Sequence, residues 1–157
     1  MTDQIAPRIG GGERAVLAGL LQFQRESFLR KLDGADEAAA RQSAVASGTT
    51  LLWLAKHLAR MELMWVEVRF AGLDTELPDD AVHAADTVAS VSAGYRAASA
   101  RADAIIAAAS LEDPCLRVPG EQSLPLRWVV AHLLEETARH AGHADILREL
   151  IDGSTGR

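Results

Sequence analysis

Apolar positions recur every three or four residues in four long stretches of the chain, the spacing of one face of an α-helix. The first stretch predicts a helix over Gly12–Leu32, with Leu17, Leu20, Leu21, Phe28 and Leu32 on one side and Asp33-Gly34 as its stop. The second predicts a helix over Thr50–Ala71, with Thr49 or Thr50 at the N-cap and Gly72 just past its end. The third, Thr87–Ala109, repeats Val88, Val91, Tyr95, Ala98, Ala102, Ile105 and Ala109 in alternating steps of three and four. The fourth opens with Ser123 as N-cap, tolerates Pro125 in its first turn, and runs to Ile151 before Gly153. A short extra helix is expected within Ala35–Gln42. Residues 33–48, 73–86 and 110–122 connect these elements and are each long enough to run the length of a helix. The predicted architecture is an all-α four-helix bundle whose order need not be simple up-down-up-down.

Composition supports that reading. Ala accounts for 29 of 157 residues and Leu for 20, whereas the strand markers are sparse and nowhere alternate with period two. One domain over residues 12–157 is expected, preceded by a flexible tail over 1–11 that Pro7 and Gly10–Gly12 keep out of the first helix. The 16 basic and 22 acidic residues give a net charge of −6, with no run of Lys or Arg, so neither a nucleic acid nor a membrane is an expected partner. No apolar run approaches the ~18–20 residues that span a bilayer, and Met1–Gly12 lacks the order of a secretion signal. Cys115 is the sole cysteine, so no internal disulfide forms. A cytoplasmic protein is expected.

Polar residues break two of the apolar rows. In the fourth helix the row reads Val129, Leu133, Glu136, His140, His143, Leu147, Leu150, so three ligand-type residues stand in the middle of a predicted core stripe. At ~100° per residue these three fall within an arc of about 60°, and neighbours three and four apart can converge. In the second helix His57 shares its face with Thr50, Trp53, Leu54, Met61, Met64, Trp65 and Val68, while Lys56, Arg60 and Glu62 point elsewhere. A single core histidine is ordinarily just hydrogen-bonded. Four ligand-type residues on two apolar rows point instead to a metal site, because burying them unpaired would cost roughly 2–7 kcal/mol each.

Imidazole and carboxylate donors without thiolate suit Zn²⁺ as the first choice, with Ni²⁺, Fe²⁺ and Mn²⁺ also compatible. His57, Glu136 and His140 make a His₂Glu set with an open position. His143 is a fourth ligand, a replacement for Glu136, or a base beside the metal; the spacing alone leaves all three open. His132, one turn before Glu136, stands at the edge of the row. Arg139 flanks the site and can pair with Glu136 or with a substrate anion. Trp53, Met61 and Met64 would form an apolar wall for a substrate. His83 is expected to be solvated in a loop and Cys115 to be a bystander. The spaced Glu-x-x-His repeats of di-iron bundles and the His-Glu-x-x-His of zinc proteases are both absent.

Thr50-Leu-Leu-Trp-Leu-Ala-Lys-His57-Leu-Ala-Arg-Met-Glu, together with Ser123 to Asp145 around His132, Glu136, His140 and His143, resembles the DinB/YfiT-like metalloenzyme superfamily. Its nearest branch contains mycothiol-dependent maleylpyruvate isomerase and other mycothiol- or bacillithiol-dependent transferases. The likeness runs from Glu13 to Gly156. It implies an up-down-down-up bundle, a divalent metal on His57, Glu136 and His140, and homodimerisation as one mode of assembly. It further implies a metal-dependent transferase that uses a low-molecular-weight, mycothiol-like thiol as nucleophile on an electrophilic small molecule. His143 matches no standard ligand of the family pattern; His143 or His132 is the candidate acceptor of the thiol proton, given hydrogen-bond reach to it. The alternatives are a metal-dependent hydrolase, or a non-enzymatic, stress-associated bundle with a structural metal.

Overall fold

The computed structural model describes residues 5–120 and 123–155. Its helices are α1 (Glu13–Asp33), α2 (Glu37–Arg41), α3 (Leu51–Glu62), which runs on as a π-helical segment (Leu63–Phe70), α4 (Val88–Ala108) and α5 (Leu126–Asp152). Local signals set several of the ends. The Thr50 hydroxyl accepts from the Trp53 N–H to cap α3, and Thr87 and Ser90 form a reciprocal capping box on α4. Gly153 closes α5 in the left-handed conformation.

Side-chain contacts fix the direction of each helix. Along α1, Glu13 meets Arg127 and Lys31 meets Asp145, so α1 and α5 run parallel. Arg14 reaches the Ile106 carbonyl while Asp33 meets Ser92, so α1 and α4 run antiparallel. Arg101 meets Glu67 and Lys56 meets Asp86 at the mouth of α4, making α3 and α4 parallel. His57 lies against His140 and Trp65 against His132, so α3 and α5 are antiparallel. Together these give an up-down-down-up four-helix bundle, in which the 73–86 connection joins the consecutive parallel pair, α3 and α4.

The interior has two apolar clusters. One gathers Phe28, Leu32, Leu51, Leu54, Leu58, Tyr95 and Leu147; the other gathers Leu21, Val66, Phe70, Ile106, Val129 and Leu133. Buried charge lies between them. Arg25 donates to both oxygens of Glu62 at 2.7 Å and to Asp103 at 2.7 Å. Burial raises the Glu62 carboxyl, while Arg25 pulls it back down. Glu62 therefore does point away from His57, but into the core.

Three expectations need correction. The second helix has the foreseen extent, but its last eight residues are π-helical, with Ala71 N–H donating to the Val66 carbonyl five residues back at 2.9 Å. Gly72, at φ +68°, follows it, and a Cβ there would meet the Leu116 side chain at 3.1 Å. Ser123 does not cap α5; Pro125 holds that place. The first N–H groups of α5 find partners in the preceding loop instead, Leu126 donating to the Asp113 carbonyl at 2.9 Å and Arg127 to that of Leu111 at 3.0 Å. Leu150 and His143 lie on the exposed side of α5, not in its core stripe. The expected tail falls partly outside the described residues; within them, Ile9 packs over Gly19 of α1, where a Cβ would meet its side chain at 2.1 Å.

Candidate metal centre

The α3 face that carries His57 is half-buried, because the fully buried side of α3 is Leu51, Leu54, Ala55, Leu58 and Glu62. His57 thus stands at the lip of the groove between α3 and α5 and not at the centre of the core. Across the groove α5 presents Glu136, half-buried, and His140, buried. Ligand-type atoms of His57, Glu136 and His140 all lie within 4.8 Å of one another, making a group that could hold a metal ion. His140 Nε2 and Glu136 Oε2 are 3.4 Å apart, close to the ~3.3 Å edge of a tetrahedron with ~2.0–2.1 Å metal–ligand bonds. The donor set and its spacing fit a divalent cation once His57 draws in slightly.

The remaining atoms of each group are held by neighbours. The second carboxylate oxygen of Glu136 is ion-paired with Arg139 at 2.9 Å, and the same guanidinium nitrogen donates to Glu135 at 2.9 Å. Asp80 Oδ2 lies 3.6 Å from His57 Nδ1. It is carried by the 73–86 connection, a strap pinned to α3 by Arg60 on the Pro78 carbonyl and by Lys56 on Asp86 and the Ala81 carbonyl. His140 Nδ1 faces His143 Nδ1 at 3.2 Å. In both histidines, then, Nδ1 has a partner outside the group. Burial and the nearby His57 imidazole push the His140 pKa down to about 4, against the opposing pull of Glu136. The ring is therefore neutral at pH 7, the form that donates to a metal.

Trp53 stacks on His57 with ring centres 4.9 Å apart and meets His140 edge-on at 6.5 Å, so it forms one wall of the group. Met61 packs one turn further along with Trp65, and Met64 is half-buried. A cavity of about 250 Å³ opens beside His143, lined also by Val45, Ser47, Thr49, Ile146 and Leu147. A larger cleft of about 680 Å³ lies between α3, the strap and α4, but none of the three ligand-type residues lines it. His132 is drawn into a different cluster, stacked on Trp128 at 4.9 Å and edge-on to Trp65 at 4.8 Å. His83 is exposed and pairs with Asp79 at 2.6 Å. Cys115 is half-buried, and burial pushes its thiol pKa up, away from reactivity. Asp80 was not foreseen, since a loop carboxylate leaves no periodic signal, whereas the His140–His143 contact follows from their three-residue spacing.

An up-down-down-up bundle with a His–Glu–His group between its second and fourth long helices defines a DinB-like helical protein with a candidate metal centre. Two solved structures share the fold. A conserved protein from Enterococcus faecalis is 17% identical, with a TM-score of 0.68 over 92% of this chain and 100% of that one. A DinB-like protein from Bacillus cereus is 19% identical, with a TM-score of 0.64 over 84% of this chain and 90% of that one. The model of the mycothiol-S-transferase family matches residues 16–153, and the chain belongs to that family. Among curated proteins there is no significant match. No helix of the described residues is long and apolar enough to cross a membrane.

Proposed function

We propose that the chain is a metal-dependent S-transferase that joins a low-molecular-weight thiol, mycothiol by its family, to an electrophilic small molecule. The observation that carries this reading is the convergence of His57, Glu136 and His140 from two facing helices within 4.8 Å, in a chain matched by the mycothiol-S-transferase family over residues 16–153. A divalent cation held there, with zinc the best match to the donors, supplies positive charge that favours the thiolate form of a thiol brought beside it.

The chain's own residues do the rest. Arg139 ties one oxygen of Glu136 and leaves the other turned toward His140. Asp80 and His143 face the Nδ1 atoms of His57 and His140, fixing which nitrogen each ring turns inward. His143, exposed at the edge of the cavity beside the group, takes the thiol proton; His132, enclosed by tryptophan rings, does not. The thiol sulfur then forms a bond to the electrophilic carbon as the bond to the leaving group breaks, and the leaving group departs with that electron pair. Trp53 supplies the apolar wall against which the electrophile rests.

The test is conjugation of iodoacetamide with mycothiol, glutathione or cysteine, followed by mass spectrometry with and without a chelator. Thiol-dependent, chelator-sensitive conjugate formation that is fastest with mycothiol is expected. Ester or amide hydrolysis that needs the metal and ignores the thiol would replace the transferase with a hydrolase. Bound metal with neither activity would leave a structural site.

A further inference from the structure

The row that begins at the candidate metal centre continues beyond it. On α3 and its π-helical extension, Trp53, His57, Met61 and Trp65 follow one another at four-residue steps; on α5, Trp128, His132, Glu136 and His140 do the same. In a straight α-helix such a row drifts by about 40° per step. The wider turn of the π-helical segment winds more slowly and keeps Trp65 facing the groove. The two rows run antiparallel, so they meet in rings at both ends. Trp53, His57 and His140 surround the candidate metal centre. At the other end Trp65, Trp128 and His132 lie within 5.2 Å of one another, Trp128 and His132 near-parallel at 17°. With ~1.5 Å of rise per residue, and eight residues from His57 to Trp65 and from His140 to His132, the second cluster stands about 12 Å along the groove from the first.

We infer that Trp65, Trp128 and His132 form a second subsite of the groove, which takes a flat apolar ring at the far end of the electrophile. This rests on the transferase reading for what happens at the other end. Three observations select the occupant. Trp128 is 40% exposed although it is among the largest apolar side chains of the chain, and a planar ring stacks on such a surface. The charged groups beside it are already engaged, Arg127 by Glu13 and Glu112 and Glu135 by Arg139. A hydroxyl-rich ligand such as a sugar would find these hydrogen-bonding groups occupied, whereas a flat apolar ring needs none. A second copy of the chain would need about 800 Å² of surface per partner, and among the large exposed hydrophobics of the described residues only Trp128 belongs to this cluster. His132 therefore has a stacking role.

The test uses two unreactive amides, N-(4-nitrophenethyl)acetamide and N-ethylacetamide, titrated into the full chain carrying Trp53→Phe, so that the emission comes from Trp65 and Trp128. Saturable quenching by the ring-bearing amide alone is expected, equal in metal-loaded and chelated protein. Trp128→Ala should weaken it about tenfold, in line with the loss of one stacking partner, and Trp128→Phe should restore most of it. Quenching that does not saturate, or that is unchanged in Trp128→Ala, would overturn the subsite. So would a dimer in sedimentation that Trp128→Ala dissolves. Because the chelated protein is included, loss of thiol transfer with quenching intact would count against the transferase reading alone, and the reverse pattern against the subsite alone.

Discussion

Asp80 offers the sharpest local test of how the candidate metal centre is held. Its carboxylate lies 3.6 Å from His57 Nδ1, and its side chain is 38% exposed on the strap. Removing a carboxylate that orients a ligating histidine ordinarily costs about 10–100-fold in metal affinity. The 3.6 Å separation is longer than a direct hydrogen bond, and water competes for an exposed carboxylate. The loss for Asp80→Ala therefore belongs at the lower end, about tenfold, or ~1.4 kcal/mol. Competition against a chromophoric chelator, read with Zn²⁺ and Co²⁺, measures it. Asp80→Asn, whose amide oxygen can still accept, should recover part of the affinity. Asp79→Ala is the control, since Asp79 sits on the same strap but pairs with His83 and the Ala81 N–H. An unchanged Kd for Asp80→Ala would refute the reasoning. An equal loss in Asp79→Ala would show that the strap's shape, and not the Asp80 carboxylate, supports His57.

Three further outcomes follow from the same structure. Glu62→Leu strands the buried Arg25 guanidinium with only the half-exposed Asp103, so urea unfolding should show a loss of about 3–5 kcal/mol; the double variant Arg25→Met/Glu62→Leu should recover most of it. In chelated protein, His140 stays neutral down to about pH 4, while the same residue in the unfolded chain takes up a proton near pH 6.5. Its folded pKa is lowered, so the unfolded state binds the extra proton as pH falls from 6.5 to 4. Stability should drop across that window, by about 2 kcal/mol after allowing for partial solvent access to the ring, and His140→Gln should flatten the drop in urea midpoints measured over that range. Cys115→Ser should leave metal content unchanged by elemental analysis; a loss would mean that the half-buried thiol takes part after all.

Much of the fold was legible because its signals are local. Thr50, Thr87 and Gly153 act on residues a turn away, and their roles can be read without knowing what packs nearby. Ser123 misleads because the start of α5 is satisfied by the Leu111 and Asp113 carbonyls, partners that only the folded chain brings close. The row on α5 was legible in its middle and wrong at its end for a geometric reason. A strict seven-residue repeat drifts ~20° per heptad on a straight helix, so three heptads beyond Val129 the row has turned about 60° and leaves Leu150 in solvent. The core at that end belongs instead to Ala141, Ala144 and Leu147. The same drift brings His143 out of the core while His140 stays buried. His57, Glu136 and His140 stood out because they interrupt apolar rows. Arg25 with Glu62, and Asp80 beside His57, did not, because each pairing joins residues distant in sequence that show no common spacing. Nor does any apolar pattern announce the change from α to π winding at Leu63.

The central claim is that His57, Glu136 and His140 hold one divalent cation. Its most direct test is the metal content of the full chain and of His57→Ala and His140→Ala, loaded alike with Zn²⁺, freed of excess and measured by elemental analysis beside circular dichroism. About one zinc per wild-type chain, and almost none in either variant at unchanged helix content, is the predicted result. Stoichiometric zinc in both variants, or a wild-type chain that holds none after loading, would contradict it and leave the three side chains as a polar network between α3 and α5.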